Sequence, residues 1–326
     1  VIKKLTYIID TPAFDKSIGG ICALHYLADC LHRYGIETVY LTTDAKNPRW
    51  YGLTIHDALR DLTRKDPGYF QYQTLMFLRK FAFLKTFSRK IDRRLRKIYP
   101  VLLWSRFNPE KTVVIYPETA IGNPLNAQNV VRWILYNPNI SAGQGIYKET
   151  DHIFLYFDFY KVNQSYSIKG LLTAVDMDYH LNTFFDKGGT RKGGAYLVKK
   201  GKGKALDRHP KDYQCADDLL RSMSDQERAD FFNKLEVFIS YDPVSFFSMQ
   251  AALCGCVSIV IPDQNGDYTK ENLIKTNRQH GVAYDLDDIS WAKDTLHLLR
   301  QSLEVKNMEY LQSVKKFIDY CEKSIK

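Results

Sequence analysis

The stretch from Glu236 to Asp263, EVFISYDPVSFFSMQAALCGCVSIVIPD, constrains the fold more than any other part of the chain. EVFIS reads as a strand, Asp242-Pro243 as a helix start, Val244 to Leu253 as an apolar helix, Gly255 as its stop and SIVIP as a second strand. Asp242 suits an N-cap, Pro243 the first helical turn and Gly255 a left-handed position after the helix. Two buried-type strands around a helix make a βαβ crossover, and hence part of a parallel sheet. Such a helix presents N–H groups and a positive dipole end at the carboxyl edge of the sheet, where an anion can bind.

The same alternation recurs along the chain. KKLTYIID, the helix from Ile18 to Gly35 and TVYLTT form an opening βαβ unit, with Leu24, Leu27, Ala28 and Leu31 as the helix's buried stripe. Gly19-Gly20 opens that helix in place of the three glycines of a dinucleotide fingerprint, which weakens a dehydrogenase reading. Residues 69 to 107 read as helical, TVVIYPE (112 to 118) as strand, Asn126 to Tyr136 as a helix stopped by Asn137-Pro138, and HIFLYFD (152 to 158) as strand. Beyond a crossover near Ser165 to Asp178 come strand GAYLVKK, a capping box at Ser224 to Glu227 and the Glu236 to Asp263 unit. Then follow a helix near Lys270 to Arg278, strand GVAYD, and helices over Ile289 to Leu303 and Met308 to Ser324.

Alternating strands and helices in both halves of 326 residues predict an α/β protein of two doubly wound, Rossmann-like domains facing across a cleft. The expected boundaries are 1–165, with a basic helical insertion at about 64–107, then 166–303, then a C-terminal helix over 304–326 packing back on the first domain. No apolar run of about 20 residues and no signal-type leader is evident, so a cytoplasmic location is expected. The six cysteines show no metal or CxxC spacing and read as buried free thiols.

Charge is unevenly placed. Between Arg64 and Arg106 stand twelve basic residues against two acidic ones, more than the whole chain's surplus of +9. Phe77, Phe81, Leu84, Ile91, Leu95 and Ile98 form a three-four spaced stripe there, with Arg93, Arg94, Arg96 and Lys97 among the bases elsewhere. The pattern suits an interfacial helix pair on an anionic membrane surface, or a solvated face over a core stripe. Without a recognised nucleic-acid motif, nucleic acid is not expected as a partner.

Asp242 and Gln250, eight positions apart and followed by Ala251-Ala252-Leu253-Cys254-Gly255, resemble the E-x7-E segment of the donor-binding half of GT-B glycosyltransferases, with neither Glu kept. The SIGG…LHYLA start, YPE, GNPLNA, VVRW and GVAYDLDDISWA look similar to bacterial polysaccharide glycosyltransferases, in order along most of the chain. The resemblance implies transfer of a sugar from a nucleotide diphosphate-sugar to a glycan or lipid-linked acceptor, at the inner face of the membrane. It implies no cofactor: the sugar nucleotide is a substrate and a metal is dispensable. The spacing leans toward retention of configuration.

Within that reading, Lys199, Lys200 and Lys204 of the KKGKGK run, at the end of a strand, are placed to neutralise the donor diphosphate. Gly19, Gly20, Tyr241, Pro243, Ser245 and Gln250 join them on the donor side. Asp242 would accept a sugar hydroxyl, and Glu118 would orient an acceptor hydroxyl or act as base. Asn123 and Asp15 fall on the acceptor side, while Asp10 and His25 read as structural. Asp176-Met-Asp178 matches a D-x-D metal motif, but it lies in the crossover and no metal role is expected. Two other readings stay open, a sugar-nucleotide epimerase and a non-catalytic membrane-surface glycan-binding scaffold.

Overall fold

The computed structural model describes residues 5–81, 85–136, 147–158, 160, 166–201, 203–266 and 268–325. Lys202, Leu84, the Asn137-Pro138 stop and Ser165 lie outside them, as do the side chains of Lys85 and Arg89. The chain divides into two compact units, one of Val1–Val175 with Tyr310–Lys326, the other of Asp176–Glu309.

The first unit carries β1 (Thr6–Ile9), α1 (Gly19–Arg33), β2 (Val39–Leu41), β3 (Leu53–Thr54), α2 (Ile55–Ala58), α3 (Tyr69–Lys80) and α4 (Lys85–Arg106). It continues through β4 (Thr112–Pro117), β5 (Asn129–Ile134), β6 (His152–Leu155) and β7 (Ile168–Leu171). The second holds α5 (Met177–Thr183), β8 (Gly194–Leu197), β9 (Gln214–Cys215), α6 (Asp217–Ser222), α7 (Asp225–Lys234), β10 (Val237–Ser240), α8 (Phe246–Leu253), β11 (Val257–Val260), α9 (Lys270–Asn277), β12 (Val282–Tyr284) and α10 (Ile289–Thr295). The chain ends in α11 (Leu299–Ser324), which runs unbroken past Leu303 to Met308, so the break expected there falls instead at Leu296–Leu298.

Both sheets are wholly parallel among the described residues. The first runs β3-β2-β1-β4-β5-β6-β7 and the second β12-β11-β10-β8-β9. Strands buried on both faces need continuous apolar, β-branched sequence, and Thr112–Pro117 is buried at every position. The same demand overturns the helix expected over Asn126 to Tyr136. Val130 to Ile134 are all buried, and the segment lies parallel to β4 and β6. A short apolar run fits a buried strand as readily as a buried helix, and here its surroundings decide.

The boundary expected at residue 166 falls before β7, which is the edge strand of the first sheet. From Tyr310 onward α11 belongs to the first unit, where Phe317 packs edge-on to Phe154 and Tyr320 Oη meets His152 Nδ1 at 2.8 Å. The helices α3 and α4 cover one face of the first sheet. Tyr72, Leu75, Ile91, Leu95 and Leu102 pack against Ile8, Val114 and Val130 in a single core. All six cysteines are thiols outside any disulfide; Cys30, Cys254, Cys256 and Cys321 are buried, but Cys215 is exposed and Cys22 half-buried.

Each sheet contains a point where consecutive connections leave in opposite directions. In the first unit β1 leads to β2 on one side while β4 leads to β5 on the other. In the second, β8 leads to β9 on one side while β10 leads through α8 to β11 on the other. Loops at the carboxyl ends of such strand pairs diverge and leave a crevice, the usual ligand position in open α/β sheets.

Candidate functional site

The loops after β8 and β10 meet at the second unit's reversal point. Asp217 accepts the Val198 N–H at 2.9 Å and the Lys199 N–H at 3.3 Å, which fixes the chain as it leaves β8. Lys199 then takes a left-handed conformation, φ 36°, and opens a 3-10 turn through Gly201. That turn, rather than a continued strand, carries Lys199 and Lys200. Gly201 is needed there: a Cβ on it would stand 2.4 Å from the Tyr241 carbonyl oxygen, so the two loops touch backbone to backbone.

Asp242, expected as the N-cap of α8, instead accepts the Val244 N–H at 3.2 Å within a turn. Its side chain is thereby spent two residues on, an Asx-type closure that delays the helix. Ser245 takes over as N-cap, accepting the Phe247 N–H, and α8 has eight residues with Pro243 outside it. Gly255 does follow the helix with φ 79°.

Asp242 is 3% exposed. Burial pushes its carboxyl above the usual carboxylate range, and Lys200, the Val244 N–H, Lys199 and Lys204 pull it back. Burial pushes the Lys199 ammonium down, while Asp242 opposes that shift. Lys199 Nζ lies 4.2 Å from the centre of the Phe247 ring, and the Arg228 guanidinium lies 5.6 Å from that same ring. Lys204 Nζ bonds the Ile261 carbonyl at 2.7 Å and pairs with Asp263 at 2.6 Å. A buried carboxylate with three lysines in its field, beside a helix start, is thus what the carboxyl edge of β8 and β10 presents.

Two expected donor-side residues point elsewhere. Tyr241 Oη accepts the Arg208 N–H at 3.0 Å and meets His209 Nδ1 at 2.8 Å, bracing the loop that follows the lysine run. Gln250 is buried, and its amide nitrogen faces His180 Nδ1 of α5 at 3.3 Å, with the His180 ring stacked on Phe246. The eight-residue spacing from Asp242 therefore does not bring the two side chains to one ligand-facing surface.

The first unit's reversal point is built differently. Asp10, at the end of β1, accepts the Thr42 hydroxyl at 2.8 Å, and Arg96 of α4 reaches it at 3.8 Å. Asp15 accepts the Ser17 N–H and hydroxyl at 2.8 and 2.7 Å. No side chain caps α1, which starts at Gly19 after Ile18. Gly20 is not forced by space, since a Cβ there would make ordinary contact with Leu135 at 3.7 Å. His25 Nε2 meets the Pro12 carbonyl at 3.1 Å.

Glu118 is buried, its carboxylate accepting the Leu135 N–H at 3.0 Å, which leaves one oxygen already committed to holding the end of β5. Asn123 is a brace as well: its Oδ1 accepts the Tyr116 hydroxyl at 3.0 Å and the Ala127 N–H at 2.9 Å. Sequence reasoning passed over the residue that organises this loop. Arg132, fully buried on β5, pairs with Asp151 at 2.8 Å and donates to the carbonyls of Ala120 and Gly122. Its guanidinium also lies over the Tyr116 and Tyr147 rings. An arginine inside an apolar run, VVRWI, is the signal that would have found it, because a buried charge must be paired.

Asp176 caps α5 by accepting the Tyr179 N–H, and Asp178 accepts the Asn307 amide at 2.9 Å. Among the described residues no cluster of His, Cys, Asp or Glu has the arrangement of a metal site. Nor is any described helix long and apolar enough to cross a membrane. The chain matches no protein-family model and no curated protein.

Proposed function

We propose that this protein is a glycosyltransferase that binds a nucleoside diphosphate-sugar at the second unit's reversal point and passes the sugar to a glycan acceptor in cell-surface polysaccharide synthesis. The observation that carries this reading is the convergence of Lys199, Lys200 and the Ser245-capped start of α8 around the buried Asp242. Departure of a nucleoside diphosphate leaves negative charge, and preset ammonium groups and helix N–H groups aimed at that charge lower the barrier. Asp242, held in a turn, is positioned to accept a hydroxyl of the donor sugar. The two-sheet Rossmann-like architecture and the ordered motif resemblance support the same class, and the acceptor is assigned to the first unit.

The test is calorimetric titration with UDP, GDP, ADP and CMP, wild type against Lys199→Ala and Lys200→Ala. A charge-assisted hydrogen bond to phosphate contributes roughly 1.5–3 kcal/mol, so each variant should bind its nucleotide about tenfold or more weakly. Wild-type affinity in both variants would move the phosphate site elsewhere. Conversion of the donor sugar without any acceptor would replace the transferase reading with an epimerase.

A further inference from the structure

The α3–α4 pair presents two faces that the sequence stripe had merged. Tyr72, Leu75, Ile91, Leu95 and Ile98 turn inward and are buried. Phe70, Phe77 and Phe81 stand on the opposite face of α3 and its cap, 68%, 60% and 56% exposed, with Phe87 of α4 at 45%. Positions 70, 74, 77 and 81 are spaced four, three and four, so they make one outward stripe with Thr74 between the aromatics. The Phe77 and Phe81 rings touch, with centroids 5.0 Å apart. Four phenylalanines left in water on one helical pair exceed the scattered apolar residues of an ordinary surface.

Charge says what covers them. Lys90, Arg93, Arg94 and Lys97 are exposed along α4, and Lys80 ends α3. None of these five has an acidic partner within ion-pair distance among the described residues. The nearby acids are engaged with other bases: Asp44 and Asp92 with Arg79, and Asp66 with Arg106. Arg79 thereby ties α3 to α4 and to the loop after β2, leaving the outer bases as surplus.

We propose that the α3–α4 pair is a docking surface for an anionic lipid bilayer, with Phe77 and Phe81 in the interfacial layer and the α4 bases on the headgroups. A bilayer interface offers negative charge and an apolar layer in one plane, which matches aromatic tips beside unpaired bases. A polynucleotide offers the charge but no continuous apolar layer. The surface is independent of the donor-site residues, so its test stands or falls apart from the proposed activity.

The full chain should co-sediment with vesicles of phosphatidylcholine plus phosphatidylglycerol and not with phosphatidylcholine alone, and salt should weaken the binding. Each basic residue near such a surface contributes about 1 kcal/mol, so the triple variant R93Q/R94Q/K97Q should bind roughly a hundredfold more weakly. F77S/F81S should lose the part of the binding that survives high salt. Both variants change exposed side chains and should melt like the wild type, which separates lost docking from lost folding. F77W should show a blue-shifted added emission on anionic vesicles. Equal sedimentation of wild type and triple variant would overturn the proposal, as would binding to a single-stranded polynucleotide with no binding to either vesicle.

Discussion

The two reversal points occupy equivalent places in their sheets, yet their charges are balanced differently. In the first unit Arg132, Asp151, Asn123 and Glu118 are spent on one another and on backbone groups, locking the loops that follow β4 and β5. In the second, Gly201 meets the Tyr241 backbone and the Asp217 carboxylate holds two N–H groups, while Asp242, itself accepting the Val244 N–H, lies in the field of three lysines. The first cluster matches one arginine to one carboxylate, whereas the second gathers three lysines around one, and that excess of positive charge is why the proposed donor is assigned to the second unit.

The largest effect that would break this contrast is expected at Arg132. Arg132→Met removes one half of a fully buried pair and strands Asp151, which typically costs about 3–5 kcal/mol. Denaturant unfolding should show that loss, while nucleotide affinity of the still-folded protein should be unchanged. A neutral Arg132→Met would mean that the first unit's loops do not depend on this pair.

A smaller loss is expected at Gly201. In Gly201→Ala the new Cβ would meet the Tyr241 backbone, which cannot swing aside as a flexible side chain would. Overpacking of this kind costs about 1–3 kcal/mol, and the displaced turn carries Lys199 and Lys200 with it. The variant should therefore lose stability and nucleotide affinity together. Loss of stability with full affinity would uncouple the turn from the site.

The smallest effect separates the units by pH. His56 is bonded by Arg79 at Nε2, 3.2 Å, and meets Tyr72 Oη at Nδ1, 2.8 Å. Because arginine only donates, Nε2 must accept, so the neutral Nδ1–H form is the one built in. Burial lowers the His56 pKa, with Asp44, Asp92 and Asp57 opposing and Arg79 assisting. The unfolded chain then takes up this proton first, so the stability His56 contributes is full above about pH 6.5 and falls on acidification. Asp242 has the reverse sign: its raised pKa makes the folded second unit hold a proton more readily than the unfolded chain. Melting curves from pH 7.5 downward should show a decline in wild type that is shallower in His56→Asn. His25 and His152, also lowered by burial, leave a residual slope. An identical slope in His56→Asn would remove His56 as a source of acid sensitivity.

Much of this architecture was legible in the chain. The opening unit, the helices over 69–107, the Ser224 capping box and the Gly255 stop all rest on local signals, and each appears where those signals lie. The candidate site was legible as far as its address, a lysine run after one strand beside Asp242 after the next. The arrangement there was not. Whether Asp242 caps a helix or closes a turn depends on which N–H is nearer, a difference of two residues that helix propensity does not resolve.

What the sequence determined by itself was the class of fold, because period and punctuation act within a few residues and apolar strands with helical crossovers leave one kind of sheet. Tertiary structure decided everything that depends on what lies alongside. Val130 to Ile134 became a strand because β4 and β6 flank it, and Gln250 turned to His180 because α5 packs there. Phe77 and Phe81 face outward while Ile91 and Leu95 face in because the sheet covers only one side of the helical pair, and no periodicity says which side that will be.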